Sequence, residues 1–287
     1  MLKVILAVTL AFTALFSSVK AKLDPMPQLK DGGIRVKYGS GPCEYYDMYL
    51  PDGTQSEADV FFLVHGGSWM SGDQTMFTGH AKYAAEKGFV GVTVDYDKIL
   101  NNVSGAKMVS ELFDAAESLK KTLADRGVTA RRMVVAGHSS GSNLALLYAF
   151  DHAEDSPIPI AFCVGVSTPS DLYRDYGHGT TLENNRDLLL TALTKENINE
   201  KTAEKYADAI GAVCPVVRAN ENCAPTLLIH GSADNVVPVE NSTELYEKLK
   251  GLGVASEQLI IEGQGHFFGN RWDAVYEAVE RWTKLYL

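Results

Sequence analysis

Three residues with the chemistry of acyl transfer stand far apart in this chain. They are Ser139 in Gly137-His138-Ser139-Ser140-Gly141, Asp234 in "LLIHGSADNVVP", and His266 in "IIEGQGHFFGN". A serine hydroxyl is a weak nucleophile until a base takes its proton, and that base needs an acid to orient it. The order Ser, Asp, His is the one in which a serine on a strand-to-helix turn finds its partners. His266 is the only histidine after Asp234, so this order leaves one candidate base. His138 and His230 flank strand ends and read as structural residues, while His80, His152 and His178 have no acid-and-nucleophile context.

The surroundings of Ser139 matter more than the five-residue pattern, which by itself is often a plain turn. "RRMVVAGHS" is an apolar run suited to a buried strand, and "SGSNLALLYAFDHA" has helical periodicity. Ser139 therefore sits between strand and helix, where flanking glycines permit a tight turn and the helix N-terminus favours developing negative charge. A tetrahedral intermediate also needs donors aimed at its oxygen. "VHGGSW", residues 64–69, supplies candidates in the N–H groups of Gly66 and Gly67, joined by that of Ser140. One such donor typically contributes ~3 kcal/mol to the transition state. A plain turn is the alternative for the glycine pair; His65 and Trp69 would shape the loop, with Trp69 lining the acyl side.

These side chains need a scaffold, and the apolar rhythm supplies one. "GIRVKYG" and "CEYYDMYLP" alternate and end in turn residues, as antiparallel strands do. Beyond Pro51 the rhythm changes. "DVFFLVHGG", "GFVGVTVDY", "RRMVVAGHS", "IPIAFCVGVS" and "PTLLIHGSAD" are short, nearly continuous apolar runs, expected of strands covered on both faces of a parallel sheet. Helical segments lie between them, including "GAKMVSELFDAAESLKKTLADRG" and "VENSTELYEKLKGLG", the latter ending in glycine at a C-cap position. This alternation predicts an α/β protein with right-handed crossovers and a doubly wound sheet. Residues 171–213 interrupt it with charged helical pieces and no strand, which reads as a cap walling the substrate pocket or as a decorative excursion.

Composition narrows the partners. The 287 residues carry a formal charge of −10 and no basic block, which excludes nucleic acid and anionic lipid as natural partners. Residues 1–21 combine a basic start, an apolar run from Val4 to Phe16 and the small-x-small ending Val19-Lys20-Ala21, the pattern of a secretory signal, with an uncleaved anchor as the alternative. No later stretch is long enough to span a membrane. The rest, 22–287, is expected to fold as one domain. Cys214 and Cys223 close a short polar loop and are a candidate disulfide; Cys163 reads as a small buried hydrophobe and Cys43 has no assignment. No CxxC or His-rich spacing marks a metal site, and no motif calls for a cofactor. Sequons occur at Asn102 and Asn241.

The motifs "VHGGSWMSGD", "GHSSGSNLA", "LLIHGSADNVVPVENSTELYEKLK" and "GQGHFF" together resemble the α/β-hydrolase superfamily, most closely its HGG-type esterases. That group holds carboxylesterases, feruloyl- and acetylxylan-esterase-like proteins and kynurenine formamidases. The resemblance runs from about Tyr46 to the C-terminus. It implies an α/β-hydrolase fold: an eight-stranded, mostly parallel sheet with helices on both faces and a helical cap insertion. It also implies Ser139 as nucleophile, His266 as base and Asp234 as orienting acid. Two departures stand out: "VDYDKILNN" replaces the Tyr-Arg-Leu-Ala-Pro string of the hormone-sensitive-lipase group, and Ser140 stands where alanine is common. The expected activity is that of a secreted serine hydrolase cleaving small carboxylic esters through an acyl-enzyme. Amide or formamide cleavage by the same groups is the alternative. A non-catalytic binding protein on this scaffold is a third reading, opposed by the filling of every catalytic position.

Overall fold

The computed structural model describes residues 32–53 and 56–287. The signal expected over residues 1–21 lies outside them.

Eight strands form one sheet in the order β1-β2-β4-β3-β5-β6-β7-β8. They are β1 Ile34–Lys37, β2 Tyr45–Tyr49, β3 Glu57–Val64, β4 Val90–Val94, β5 Thr129–His138, β6 Ile160–Val166, β7 Thr226–Gly231 and β8 Ser256–Ile261. β1 pairs antiparallel with β2, and β2 with β4. Every pairing from β4 through β8 is parallel, as the continuous apolar runs require.

Helices α1 Thr78–Glu86, α2 Gly105–Ala124 and α3 Ser140–Asp151 link the first parallel strands. The 171–213 interval contains α4 Thr181–Asn184, α5 Arg186–Thr194 and α6 Ala207–Gly211 and no strand; α7 Pro215–Arg218, α8 Glu240–Gly251 and α9 Trp272–Tyr286 follow. Alternate side chains of the central strands serve opposite faces. Val60, Phe62, Val64, Met133 and Val135 pack with Met108, Leu112 and Leu119 of α2 and with α3 and α8. Phe61, Leu63, Val134 and Val164 pack with Ala81 and Ala84 of α1 and Val275, Ala278 and Trp282 of α9. At the end of α8, Gly253 adopts φ 77° and donates its N–H to the Lys250 oxygen, the cap read from the sequence.

The insertion is tied to the loop after β7 and to α3. The amides of Thr181 and Leu182 donate to the oxygens of Asn235 and Val236. Asn143 of α3 donates through Nδ2 to the oxygens of Pro169 and Val213, each at 3.0 Å, so one side chain grips both ends of the segment.

One expectation is corrected, and one triplet noted in the sequence proves inaccessible. The Cys214–Cys223 disulfide is not formed: all four cysteines are free thiols. Residues after Cys214 coil into α7, and each sulfur accepts from a different amide, Cys214 from the distant Leu172 N–H and Cys223 from the nearby Asn220 N–H, both at 3.3 Å. The sequon at Asn241 is also occluded, because that side chain is fully buried and its Oδ1 accepts from the amides of Ser170 and Asp171. Cys163 is buried, as read, with Sγ 3.1 Å from Thr226 Oγ1. No helix among the described residues is long and apolar enough to cross a membrane.

Candidate active site

Parallel register brings the chemical groups to one edge. Val64 lies beside Gly137 and His138 beside Val166, so the loop after β3 and the turn after β5 leave the sheet together. Gly231 lies beside Ile261, so the loops bearing Asp234 and His266 leave at the same edge.

Ser139 has φ 55° and ψ −129°, a conformation a non-glycine residue adopts only under constraint. Its amide is anchored on the Val166 oxygen at 2.9 Å, and its own oxygen accepts from Asn143 N–H. The flanking glycines are required by close approach. A Cβ on Gly137 would fall 2.4 Å from the Gly141 oxygen, and one on Gly141 would fall 2.2 Å from the His65 oxygen. Helix α3 therefore starts jammed against the loop after β3, and Ser139 is held out of line at its head.

The three side chains predicted to act together do meet. Ser139 Oγ lies 2.9 Å from His266 Nε2, and His266 Nδ1 lies 2.7 Å from Asp234 Oδ2. Asp234 takes the amides of Val236 and Val237 on its other oxygen at 2.8 and 2.9 Å. Burial opposes its ionisation, but the charge of His266 and hydrogen bonds from His230 and His266 outweigh it and hold the carboxyl well below the usual carboxylate range. Because an ionised carboxylate only accepts, Nδ1 of His266 carries a proton and donates it to Asp234. Nε2 then presents its lone pair to the Ser139 hydroxyl.

Gly66 abuts this serine: a Cβ there would lie 3.2 Å from Ser139 Cβ. Neither the Gly66 nor the Gly67 N–H is taken by another group among the described residues. Ser140 opens α3, where a first-turn amide has no intrahelical acceptor. Gly67, Ser68 and Trp69 have φ of 134°, 56° and 58°, so the loop coils through three successive positive-φ residues. Trp69 is buried and, with Ser68, Pro169, Leu182, Leu189, Val236 and Val237, encloses a cleft of about 20 Å³ at Ser139. Leu182 and Leu189 belong to the insertion, which therefore walls the site.

Some contributors escaped the sequence reading. His230 sits in β7 with Nε2 3.2 Å from Asp234 Oδ2, while its Nδ1 meets Ser242 Oγ at 2.9 Å. Its spacing of four from Asp234 was the available signal. Ser68 gave none, since serine seldom adopts positive φ. His138 is structural, as read: burial and the charge of His266 push its imidazole down to about 3, so it is neutral and donates Nε2–H to the His266 backbone oxygen at 2.7 Å. No group of three or more His, Cys, Asp or Glu among the described residues is disposed to hold a metal ion.

The strand order, with its strained serine turn after β5 and a carboxylate–imidazole pair on the loops after β7 and β8, defines an α/β-hydrolase. The chain belongs to the BD-FAE family, whose profile matches residues 46–249. Among curated proteins it is similar to Esterase LipC of Mycobacterium tuberculosis, 26% identical over 241 residues covering 82% of this chain and 59% of that protein. It is also similar to the isoprenylcysteine alpha-carbonyl methylesterase ICME of Arabidopsis thaliana, 24% identical over 80% of this chain and 55% of that protein. The chain thus spans little more than half the length of these relatives. Among solved structures, Thermogutta terrifontis esterase 2, captured phosphonylated by sarin, superposes with a TM-score of 0.70 at 23% identity, covering 92% of this chain and 95% of that one.

Proposed function

We propose that this protein is a secreted serine hydrolase that cleaves small carboxylic esters through an acyl-enzyme. The observation that carries the reading is the continuous contact from Ser139 Oγ through the His266 ring to Asp234, at 2.9 and 2.7 Å, beside a glycine loop whose Gly66 and Gly67 amides have no other partner among the described residues. Ser139 Oγ attacks the ester carbonyl while His266 Nε2 takes its proton. Asp234 holds the ring in the needed tautomer and offsets the charge it acquires. The oxyanion is met by the N–H groups of Gly66, Gly67 and Ser140. Collapse expels the alcohol, which receives the proton from His266; a water molecule, deprotonated by the same imidazole, then releases the acid. Trp69 borders the acyl group.

Cleavage of amides or formamides would use the same groups, but the relatives are named as esterases, and ester hydrolysis is the reading they support. Secretion rests on the leader pattern of residues 1–21 alone. Expression of the full chain in a secreting host should yield an extracytoplasmic product starting at Lys22; an intact intracellular product would oppose it.

Turnover of short p-nitrophenyl esters and of formylated amines by wild type and Ser139→Ala tests the reaction. Loss of ester turnover in the variant, with fluorophosphonate labelling confined to Ser139, is the expected result. Full activity in Ser139→Ala, or faster cleavage of the formylated amines, would reject the reading.

A further inference from the structure

The sheet face toward α1 and α9 is incompletely covered. Val60, Phe62, Val64, Met133 and Val135, on the opposite face, are fully buried, whereas Phe61 and Leu63 retain 8% and 9% exposure and Ala136, in mid-sheet, is only half-buried. Between this face and the two helices lies a cavity of about 430 Å³. Protein interiors are close-packed, and a void of this size falls within the range of small-molecule sites.

Its shape and its chemistry both run along one axis. Helix α9 lines it with Trp272, Val275, Tyr276, Val279, Thr283 and Lys284, a single helical stripe. At 1.5 Å per residue that stripe is about 18 Å long, so the space is a slot rather than a bowl. One end meets His138, Val166 and Trp272, and its walls include Phe61, Leu63, Phe89 and Val164. The charged groups gather at the far end, where Lys87, Glu280 and Lys284 stand at the surface, while the Tyr276 hydroxyl and His80 Nδ1 along the wall engage each other at 2.7 Å. Glu280 is already engaged by Lys87 at 2.8 Å and by the Tyr83 hydroxyl at 2.6 Å, while Lys284 has no ion pair among the described residues. Two ammonium groups against one carboxylate leave a net positive mouth on a protein of charge −10.

We propose that this slot binds one linear aliphatic carboxylate, its tail running inward toward His138 and Trp272 and its headgroup between Lys87 and Lys284. The apolar wall excludes a peptide, whose amide groups would go unpaired. The positive mouth disfavours an aliphatic amine. The site is separate from the cleft at Ser139: the two are lined by different residues, although His138 of the slot directly precedes Ser139 in the chain.

Calorimetric titration of the purified protein with dodecanoate tests this, with dodecylamine and dodecanol as controls. Dodecanoate should bind with one-to-one stoichiometry, more tightly than either control, without competing against a short ester substrate. Val279→Trp, which fills the slot, should weaken binding at least tenfold with ester turnover unchanged; Thr283→Phe, at the mouth, serves if the first variant does not fold. The double variant Lys87→Ala and Lys284→Ala should weaken dodecanoate but not dodecanol. Absence of binding, equal binding of dodecylamine, competition with the ester, or affinity undiminished in the slot-filling variants would each overturn the proposal. So would a dimer that dissociates on Val279→Trp, since a second copy would then be the occupant.

Discussion

The neutral ring of His138 donates a hydrogen bond from Nε2 to the backbone oxygen of His266 at 2.7 Å, so the candidate base is held by a second histidine that cannot take up a proton in its own place. Ser167 Oγ reaches the same oxygen at 3.3 Å. In an unfolded chain a histidine protonates near 6.5. In the fold, burial first and the charge of His266 second keep His138 neutral down to about 3. As pH falls below about 6.5 the unfolded state gains a proton that the folded state refuses, so stability declines. The expected loss is ~1.4 kcal/mol per pH unit in this window from His138. Burial holds His80 at about 4, and it acts in the same direction. Urea unfolding at pH 7 and pH 5.5 should show a steeper loss for wild type than for His138→Leu. Equal losses would mean that His138 already carries charge at pH 5.5.

His230 approaches Asp234 from the strand itself, with Nε2 3.2 Å from the oxygen that also receives the proton of His266. Ser242 Oγ can donate to Nδ1, which leaves the proton on Nε2 for the Val237 backbone oxygen at 3.2 Å, with the carboxylate beside it. His230→Leu should free Asp234 to rotate, lowering kcat about tenfold with KM little changed, whereas Asp234→Asn should lower kcat by about 10⁴ through the wrong tautomer of His266. Steady-state kinetics on a short ester separates the two. A rise in KM alone for His230→Leu would assign the residue to substrate binding instead.

Most of this scaffold was legible because burial on two faces writes itself as uninterrupted apolar runs, and each such run became a strand. Ser139, Asp234 and His266 could be selected because chain order and strand ends constrain them. What stayed hidden depends on long-range fit. The failed Cys214–Cys223 bridge illustrates this: proximity in sequence says nothing of a helix coiling between the two sulfurs. Asn143 looked like an ordinary polar residue in a helical run, and its two acceptors are 26 and 70 positions away. The unfilled slot beneath α9 is invisible in sequence, since its walls carry the same apolar pattern as a packed core.

Asn143 is buried, and it is the only side chain that grips both ends of the insertion at once among the described residues. Asn143→Ala would leave the oxygens of Pro169 and Val213 without their donors, at an expected cost of ~2 kcal/mol in stability. The insertion should also drift from Ser139, raising KM for a short ester several-fold. Thermal unfolding with kinetics on the same preparation checks both effects. A destabilised variant with unchanged KM would show that the insertion keeps its position through its other ties, among them the Thr181 and Leu182 amides and the Asn241 side chain.

The cleft at Ser139 offers only about 20 Å³, with Leu182 and Leu189 as its movable-sized walls. Leu189 is 1% exposed, so truncating it creates space that the surroundings only partly refill, with a stability cost of ~2 to 5 kcal/mol. If that space adjoins the acyl group, Leu189→Ala should admit longer chains. Discrimination by one methylene in an apolar pocket is ~10- to 200-fold, so the ratio of kcat/KM for p-nitrophenyl butyrate over acetate should rise at least tenfold. An unchanged ratio with intact turnover would place the acyl chain away from the insertion. The leucine would then face the leaving alcohol, and the same variant assayed on acetates of increasing alcohol size should show the gain there.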